Sequence, residues 1–319
     1  MTAPPPPYGS SFLPRPLRLG TRGSPLAMTQ AHMVIAALRE AHGWGEDAIE
    51  IVTIKTSGDM IQDRPLADVG GKALWTKELD RALIEGDIDF AVHSMKDVET
   101  IRPAEIVIAA MLARADVRDR LIGCGSLDAL PEGARVGTSS PRRSAQVRRQ
   151  RPDVAIVLFR GNVDTRLNKL AGGEAEATLL AAAGLDRLGR PDIGHAIPAE
   201  TMLPAPAQGA VGIETLRDRQ DVRTALAAID HRATHICVGA ERALLAALGA
   251  DCRSPVAALA IEQGDYIYLR AEILNEDGSE CRNGEAILAR ETVNADAAAL
   301  AHALLVDASP ALRQLFSGQ

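Results

Sequence analysis

Aromatic residues are scarce in this chain of 319 residues: two Trp, three Tyr and four Phe. So few rings argue against reading single-stranded nucleic acid by stacking bases on side chains. Cysteine is just as thin. The four stand at 124, 237, 252 and 281 with no Cys-x-x-Cys pair, which argues against a disulfide framework or a cysteine zinc site and suits a reducing cytoplasm. Long apolar runs are missing as well, so nothing reaches the ~18 residues that a membrane span needs. Positive charge is outnumbered, 35 Lys and Arg against 42 Asp and Glu for a net of −7. A molecule of that balance is not built for nucleic acid or an anionic membrane. The opening Met1–Ser11 has neither the basic region nor the apolar core of a signal peptide, and residues 1–15 read as a disordered, partly polyproline tail.

What is present is an ordinary globular composition, 46% hydrophobic and 24% charged, long enough for two or three domains. The charge is uneven. Between Gly137 and Arg166 stand seven arginines (142, 143, 148, 149, 151, 160, 166) against Asp153 and Asp164, a local +5 in an acidic protein. A focused anion site fits that better than a broad basic face.

The segment Gly137-Thr-Ser-Ser-Pro-Arg-Arg143 concentrates the argument. Ala134–Gly137 reads as a strand. Ser139 or Ser140 is the natural N-cap, and Pro141 has the fixed φ of a first helical position. Arg142 and Arg143 then fall in the first turn, where the helix macrodipole disfavours cations. A bound polyanion would repair that conflict; two solvated arginines are the plainer alternative.

The same device stands earlier. Leu17–Gly20 alternates as a strand, Thr21-Arg22-Gly23-Ser24-Pro25 follows, and a helical apolar face runs to about Glu40. A third helix start, capped by Asn162, follows the strand Val154–Phe159 and lies between Arg160 and Arg166. Strand Asp89–His93 runs into Ser94-Met95-Lys96-Asp97, the strand end where α/β sheets bind ligands. Lys96 and Asp97 there could fix an acid group and manage a proton, or form a surface ion pair. The loop Gly70-Gly71-Lys72 could cradle an anion or move as a lid, but it lacks the spacing of a nucleotide P-loop.

Polar or proline-rich crossovers at 114–120 and 203–209 imply that the chain leaves one α/β lobe and later returns to it, which is a hinge architecture. The boundaries read as 16–114 with 205–228 for the first lobe, 115–204 for the second and 229–319 for a small α+β domain. In the last, a helix at Glu241–Leu248 precedes strands near Val256–Ile261, Tyr266–Leu274 and Glu285–Glu291, and Asp277-Gly278 makes a hairpin turn. His231 and His235 are four residues apart but lack a third ligand, so no metal is expected.

Six motifs occur in order: Thr21–Ala27, Val69–Lys72, Val92–Val98, Gly137–Arg143, Arg160–Val163 and Gln208–Glu214. Together they resemble the porphobilinogen deaminase (hydroxymethylbilane synthase) family from about Leu17 onward. The resemblance implies two periplasmic-binding-protein-like α/β lobes linked by two crossovers, plus the small C-terminal α+β domain. It also implies a cytoplasmic monomer that joins four porphobilinogen molecules head to tail into hydroxymethylbilane, releasing ammonia, without nucleic acid, membrane or metal.

The growing linear oligopyrrole is held on a dipyrromethane cofactor, whose thioether the resemblance assigns to Cys252. Asp97 matches the catalytic aspartate, which would hydrogen-bond pyrrole N–H, stabilise the azafulvene cation and relay a proton. Arg22, Ser24, Ser94, Lys96, Thr138, Ser139, Ser140, Arg142, Arg143, Arg160, Asn162, Arg166 and Gln208 match positions that bind cofactor and substrate carboxylates. Gly70, Gly71 and Lys72 match the mobile loop. Departures are Ser57, Asp68, Trp75, Pro141 and Asp251, the last standing directly before the primer cysteine. A receptor that closes on small anions without chemistry is the rival reading, and Cys252 discriminates the two.

Overall fold

A computed structural model describes residues 15–56, 76–251 and 254–316. Cys252, Gly70, Gly71, Lys72, Ser57, Asp68 and Trp75 lie outside them.

The first lobe begins with β1 (Leu17–Arg22), α1 (Pro25–His42) and β2 (Ile49–Ile54). It continues with α2 (Lys77–Ile84), β3 (Phe90–Ser94) and β4 (Ile106–Met111). The chain then crosses into the second lobe as β5 (Asp119–Ile122), β6 (Arg135–Thr138), α3 (Pro141–Gln150) and β7 (Ala155–Leu158). That lobe ends with α4 (Val163–Ala171), β8 (Ala177–Ala181), α5 (Ala182–Arg187) and β9 (His195–Ala196). The run Ala177–Ala183, open between strand and helix by sequence, is both. A second crossover returns as β10 (Val211–Leu216) and α6 (Gln220–Ala227).

The two sheets share one plan. The orders are β2-β1-β3-β10-β4 and β7-β6-β8-β5-β9. Three parallel strands come first, and the fourth, β10 or β5, runs antiparallel and is the strand that has just arrived from the other lobe. Helices cover both faces, which is why β3 and β8 read as almost unbroken buried runs. In the first lobe Val34, Ile35 and Leu38 of α1 pack on one face with Leu19, Phe90 and Val92; Leu79 and Leu83 of α2 pack on the other with Ile88 and Ala91.

The third domain starts with α7 (Arg232–Ala247), followed by an antiparallel sheet of β11 (Val256–Gln263), β12 (Tyr266–Leu274) and β13 (Cys281–Ala289). α8 (Val293–Val306) and α9 (Pro310–Gln314) complete it. α7 begins nine residues before Glu241, because His231 acts as its N-cap and accepts from Thr234 N at 3.2 Å. His231 and His235 therefore do not share a helix face. His235 pairs with Asp230 at 2.8 Å, and no metal-binding group of three side chains occurs among the described residues.

Of the expected tail of 1–15, residues 1–14 lie outside the described residues and Arg15 is ordered against the first lobe. Arg15 holds the Asp89 carboxylate with both arms of its fork, at 2.7 Å each.

The two crossovers run side by side. Ala115 N donates to Gly209 O at 3.2 Å, and Gly209 has φ 85°. A Cβ there would lie 2.7 Å from Ala115 O, so both the backbone angle and the approach require glycine. The fully buried Glu241 ties α7 to this hinge. It takes Arg114 at 2.7 and 2.9 Å, Ala207 N at 2.6 Å and Ala260 N at 2.7 Å.

Candidate active site

Asp97 stands on a single 3-10 turn, Met95–Asp97, at the end of β3. The returning crossover locks that turn: Met95 N donates to Ala210 O at 3.1 Å. Met95 also packs where a Cβ on Gly212 would sit, 2.0 Å from its Sδ. Only the missing side chain of Gly212 lets the turn lie against β10. Asp97 opens onto a cleft lined also by Arg22, Ser24, Gln30, His93 and Ser94. No hydrogen bond or ion pair with another described residue engages its carboxylate.

Behind the turn lies a buried ionic network. Arg102 holds Glu214 at 2.8 Å through each arm and Glu99 at 2.8 Å, and it also binds Asp80. It reaches Thr76 Oγ1, just after the undescribed 57–75, at 3.2 Å. His93 is a packed strand residue whose Nε2 lies 3.2 Å from Glu214. Burial pushes the Glu214 carboxyl up, but His93 and Arg102 outweigh it and hold the group down to about 2.

Lys96, beside Asp97 in the first lobe, faces cations of the second. It is partly exposed yet set between charges. Burial first, then Arg143 and Arg142, lower its ammonium to about 8, against the opposing pull of Asp97 and Asp119. Arg166, at the start of α4, is lowered by burial and by Arg143 to about 10; Asp97 offsets this and Arg160 adds to it. Its Nε donates to Gly161 O at 3.1 Å and its Nη2 to Ser139 Oγ at 3.4 Å. Lys96 of the first lobe thus lies within electrostatic reach of Arg143 of the second, and Asp97 within reach of Arg166. Cations lowered by burial and by a neighbouring cation are relieved by an anion.

The anion demanded by the Ser-Ser-Pro-Arg-Arg helix start is present in the chain itself. Asp119, fully buried at the start of β5, takes Arg142 Nη2 at 2.8 Å, Arg143 Nε at 3.2 Å and Arg143 Nη2 at 2.7 Å. Burial alone would raise its carboxyl, but the two guanidiniums hold it well below the usual carboxylate range. Arg142 also donates to Gln146 and Leu203 O, and Arg143 to Leu179 O. One carboxylate against two guanidiniums leaves a surplus positive charge, and the bonds of Arg143 use three of the five N–H groups in its fork.

Several residues expected at the site have local duties. Ser24, Ser140 and Asn162 cap α1, α3 and α4, accepting from Ala27 N, Arg143 N and Thr165 N. Thr138 accepts from Ser140 N at 3.2 Å, and Ser94 pairs with Gln30 at 2.8 Å. Arg22 lines the cleft, and Arg160 is buried at the end of β7. Gln208 faces the hinge rather than the cleft: it is 1% exposed, and its amide donates to Val117 O at 2.7 Å and Asp119 at 2.9 Å. Asp119 and Arg242 are not singled out by the sequence, and Glu214 enters only as the end of a motif. The one available signal was acidic: Asp119 sits in an arginine-rich crossover.

Comparison with known proteins follows the same division. A family model described as "Porphobilinogen deaminase, dipyromethane cofactor binding domain" matches residues 17–224, and one described as "Porphobilinogen deaminase, C-terminal domain" matches 235–305. A protein of Sphingopyxis alaskensis named porphobilinogen deaminase is 59% identical over 308 residues, 95% of this chain and 97% of its own length. Its namesake in Paracoccus denitrificans is 50% identical over 292 residues, 89% of this chain and 91% of its own. That of Nitrobacter winogradskyi is 48% identical over 307 residues, 94% and 96%.

Proposed function

The chain belongs to the porphobilinogen deaminase family, and from that premise we propose how its own residues carry out the reaction. The enzyme joins four porphobilinogen molecules head to tail, with release of ammonia, into the linear tetrapyrrole hydroxymethylbilane. The dipyrromethane cofactor, bound through a thioether to Cys252, supplies the pyrrole α-carbon on which the chain is extended.

The residues of the cleft fit such a group. Each pyrrole carries an acetate and a propionate, and the cleft holds a surplus of positive charge from Lys96, Arg166 and the Arg142–Arg143–Asp119 cluster. Arginine forks and helix-start N–H groups suit carboxylates. Arg22, Arg143, Arg160 and Arg166 bind the acid groups, with Lys96 and the Ser139 hydroxyl beside them. Pyrrole also has one strong donor, its N–H. The observation that carries the reading is the acceptor waiting for it: an Asp97 carboxylate with no hydrogen bond or ion pair among the described residues, within electrostatic reach of Lys96 and Arg166.

Asp97 accepts the substrate N–H and so stabilises the positive charge that grows on the pyrrole nitrogen as the C–N bond to ammonia breaks. After the new carbon–carbon bond forms, the same carboxylate holds the proton lost from the α-carbon as that ring regains aromaticity. One group serves both steps because the charge passes only from the nitrogen of the incoming ring to that of the ring that attacked it, and one carboxylate can turn from the first N–H to the second. The protein works as a cytoplasmic monomer on small molecules.

Intact mass of the purified protein tests the assignment. The mass should exceed that of the polypeptide by one dipyrromethane, and Cys252→Ser should lose both the excess and turnover. An unmodified and fully active protein would sink the primer reading.

A further inference from the structure

α7 carries two adjacent charged residues with different targets. Glu241 grips the hinge. Arg242 faces the first lobe, 9% exposed, and its fork closes on three consecutive backbone carbonyls. Nη1 donates to Val98 O at 3.2 Å, and Nη2 to Glu99 O at 2.6 Å and Thr100 O at 3.1 Å. These carbonyls begin at the residue next to Asp97. No carboxylate is paired with this guanidinium among the described residues, so its bonds go to the shape of one short segment rather than to an ion pair.

A second bond joins the same segment to the far end of the helix. Thr100 Oγ1 donates to Ala250 O at 3.1 Å. Ala250 lies just past the end of α7 and two residues before Cys252 in the chain. The 3-10 turn that presents Asp97 is thus tied to α7 at one point along the helix and to its exit at another. A backbone stretch with no regular structure gains from such a clamp, because its carbonyls must find donors outside a helix or sheet ladder.

We propose that Arg242, assisted by Thr100, is a positioning residue for the reaction. It holds the catalytic turn of the first lobe in register with the part of the third domain that leads to the primer attachment point. This inference rests on the roles given above to Asp97 and Cys252. A reacting pair displaced by ~1 Å loses on the order of 100-fold in rate, and the clamp spans the two elements whose separation sets that displacement.

The test uses the full-length protein carrying its primer. Arg242→Met keeps the aliphatic stem and removes the fork. It should show the normal primer mass and a folded transition, with kcat down on the order of 100-fold and KM near the wild-type value. Arg242→Lys, whose ammonium is a point donor, should recover part of the loss. In an Asp97→Glu background the same Arg242→Met change should cost far less, since the carboxylate no longer sits where the clamp delivers it. Thr100→Val, which deletes only the bond to Ala250 O, gives a second measure and should lower kcat several-fold. Wild-type kcat in folded Arg242→Met, or equal losses with and without intact Asp97, would overturn the proposal. Should Arg242→Met not fold, wild-type kcat in Thr100→Val overturns it. Wild-type protein without primer or turnover would instead defeat the function assigned above, so the two failures are distinct.

Discussion

The two lobes open their key helices with the same device and use it for different ends. In the first, Ser24 caps α1 and Pro25 begins it; in the second, Ser140 caps α3 and Pro141 begins it. Each helix start has a nearby aspartate, delivered by another strand. Asp97 is open to the cleft, with no bonded partner among the described residues. Asp119 is sealed between Arg142, Arg143 and Gln208. A carboxylate fully satisfied by guanidiniums has no capacity left for chemistry and serves to hold cations in place. The open carboxylate can still accept a proton or a donor. Proximity to arginine therefore does not identify the reactive acid, but unmet hydrogen-bonding capacity does.

Removing each aspartate breaks the comparison at its strongest point. Asp97→Ala should keep the fold and cut kcat by about 10³-fold or more, since it deletes both charge stabilisation and the proton acceptor. Steady-state turnover of porphobilinogen beside a thermal melt measures both, and wild-type rates would remove Asp97 from the mechanism. Asp119→Asn should do the reverse to stability. Two buried guanidiniums lose their counter-charge, at a cost of about 3–5 kcal/mol, read as a lower urea midpoint with unchanged slope. An undiminished midpoint would show that Arg142 and Arg143 do not depend on Asp119.

A smaller effect sharpens the contrast by pH. Lys96 in the unliganded cleft is lowered to about 8. Below that pH it is a cation and binds carboxylate; above it the neutral amine does not. Affinity should therefore fall as pH rises through about 8. kcat/KM reports this because it follows the free enzyme. Lys96→Gln should flatten that limb of the profile while retaining the fold. A wild-type profile without the limb would place Lys96 away from substrate acid groups.

Local features of the site were legible in the chain. Ser-Pro pairs and Asn162 marked helix starts because capping is decided within three or four residues, and the strand read at Asp89–His93 is β3, Phe90–Ser94. The motifs named Asp97, Lys96 and Arg166, and the structure brings the Asp97 carboxylate within electrostatic reach of both cations. What could not be read was which anion answers Arg142 and Arg143. Asp119 comes from the antiparallel arrival of β5, 23 and 24 residues earlier, and that pairing follows from sheet order rather than from any local pattern. Gln208 was misplaced for the same reason, its motif lying in the hinge beside the substrate cleft. Arg15, expected in the tail, could not be placed by sequence, since its partner is Asp89, 74 residues away.

The plan of the two sheets has a consequence for how the protein comes into being. The second lobe is a single uninterrupted stretch of chain, β5 to β9. The first is not, because β10 lies between β3 and β4 and bonds to both. On the ribosome the second lobe has all its described strands once Ala196 has emerged, while the first waits without its fourth strand until Leu216 follows. Among the described residues β4 has no other neighbour in that sheet. During that interval the half-built lobe, with the turn that will carry Asp97 still unsupported, is the part of the nascent chain most in need of protection.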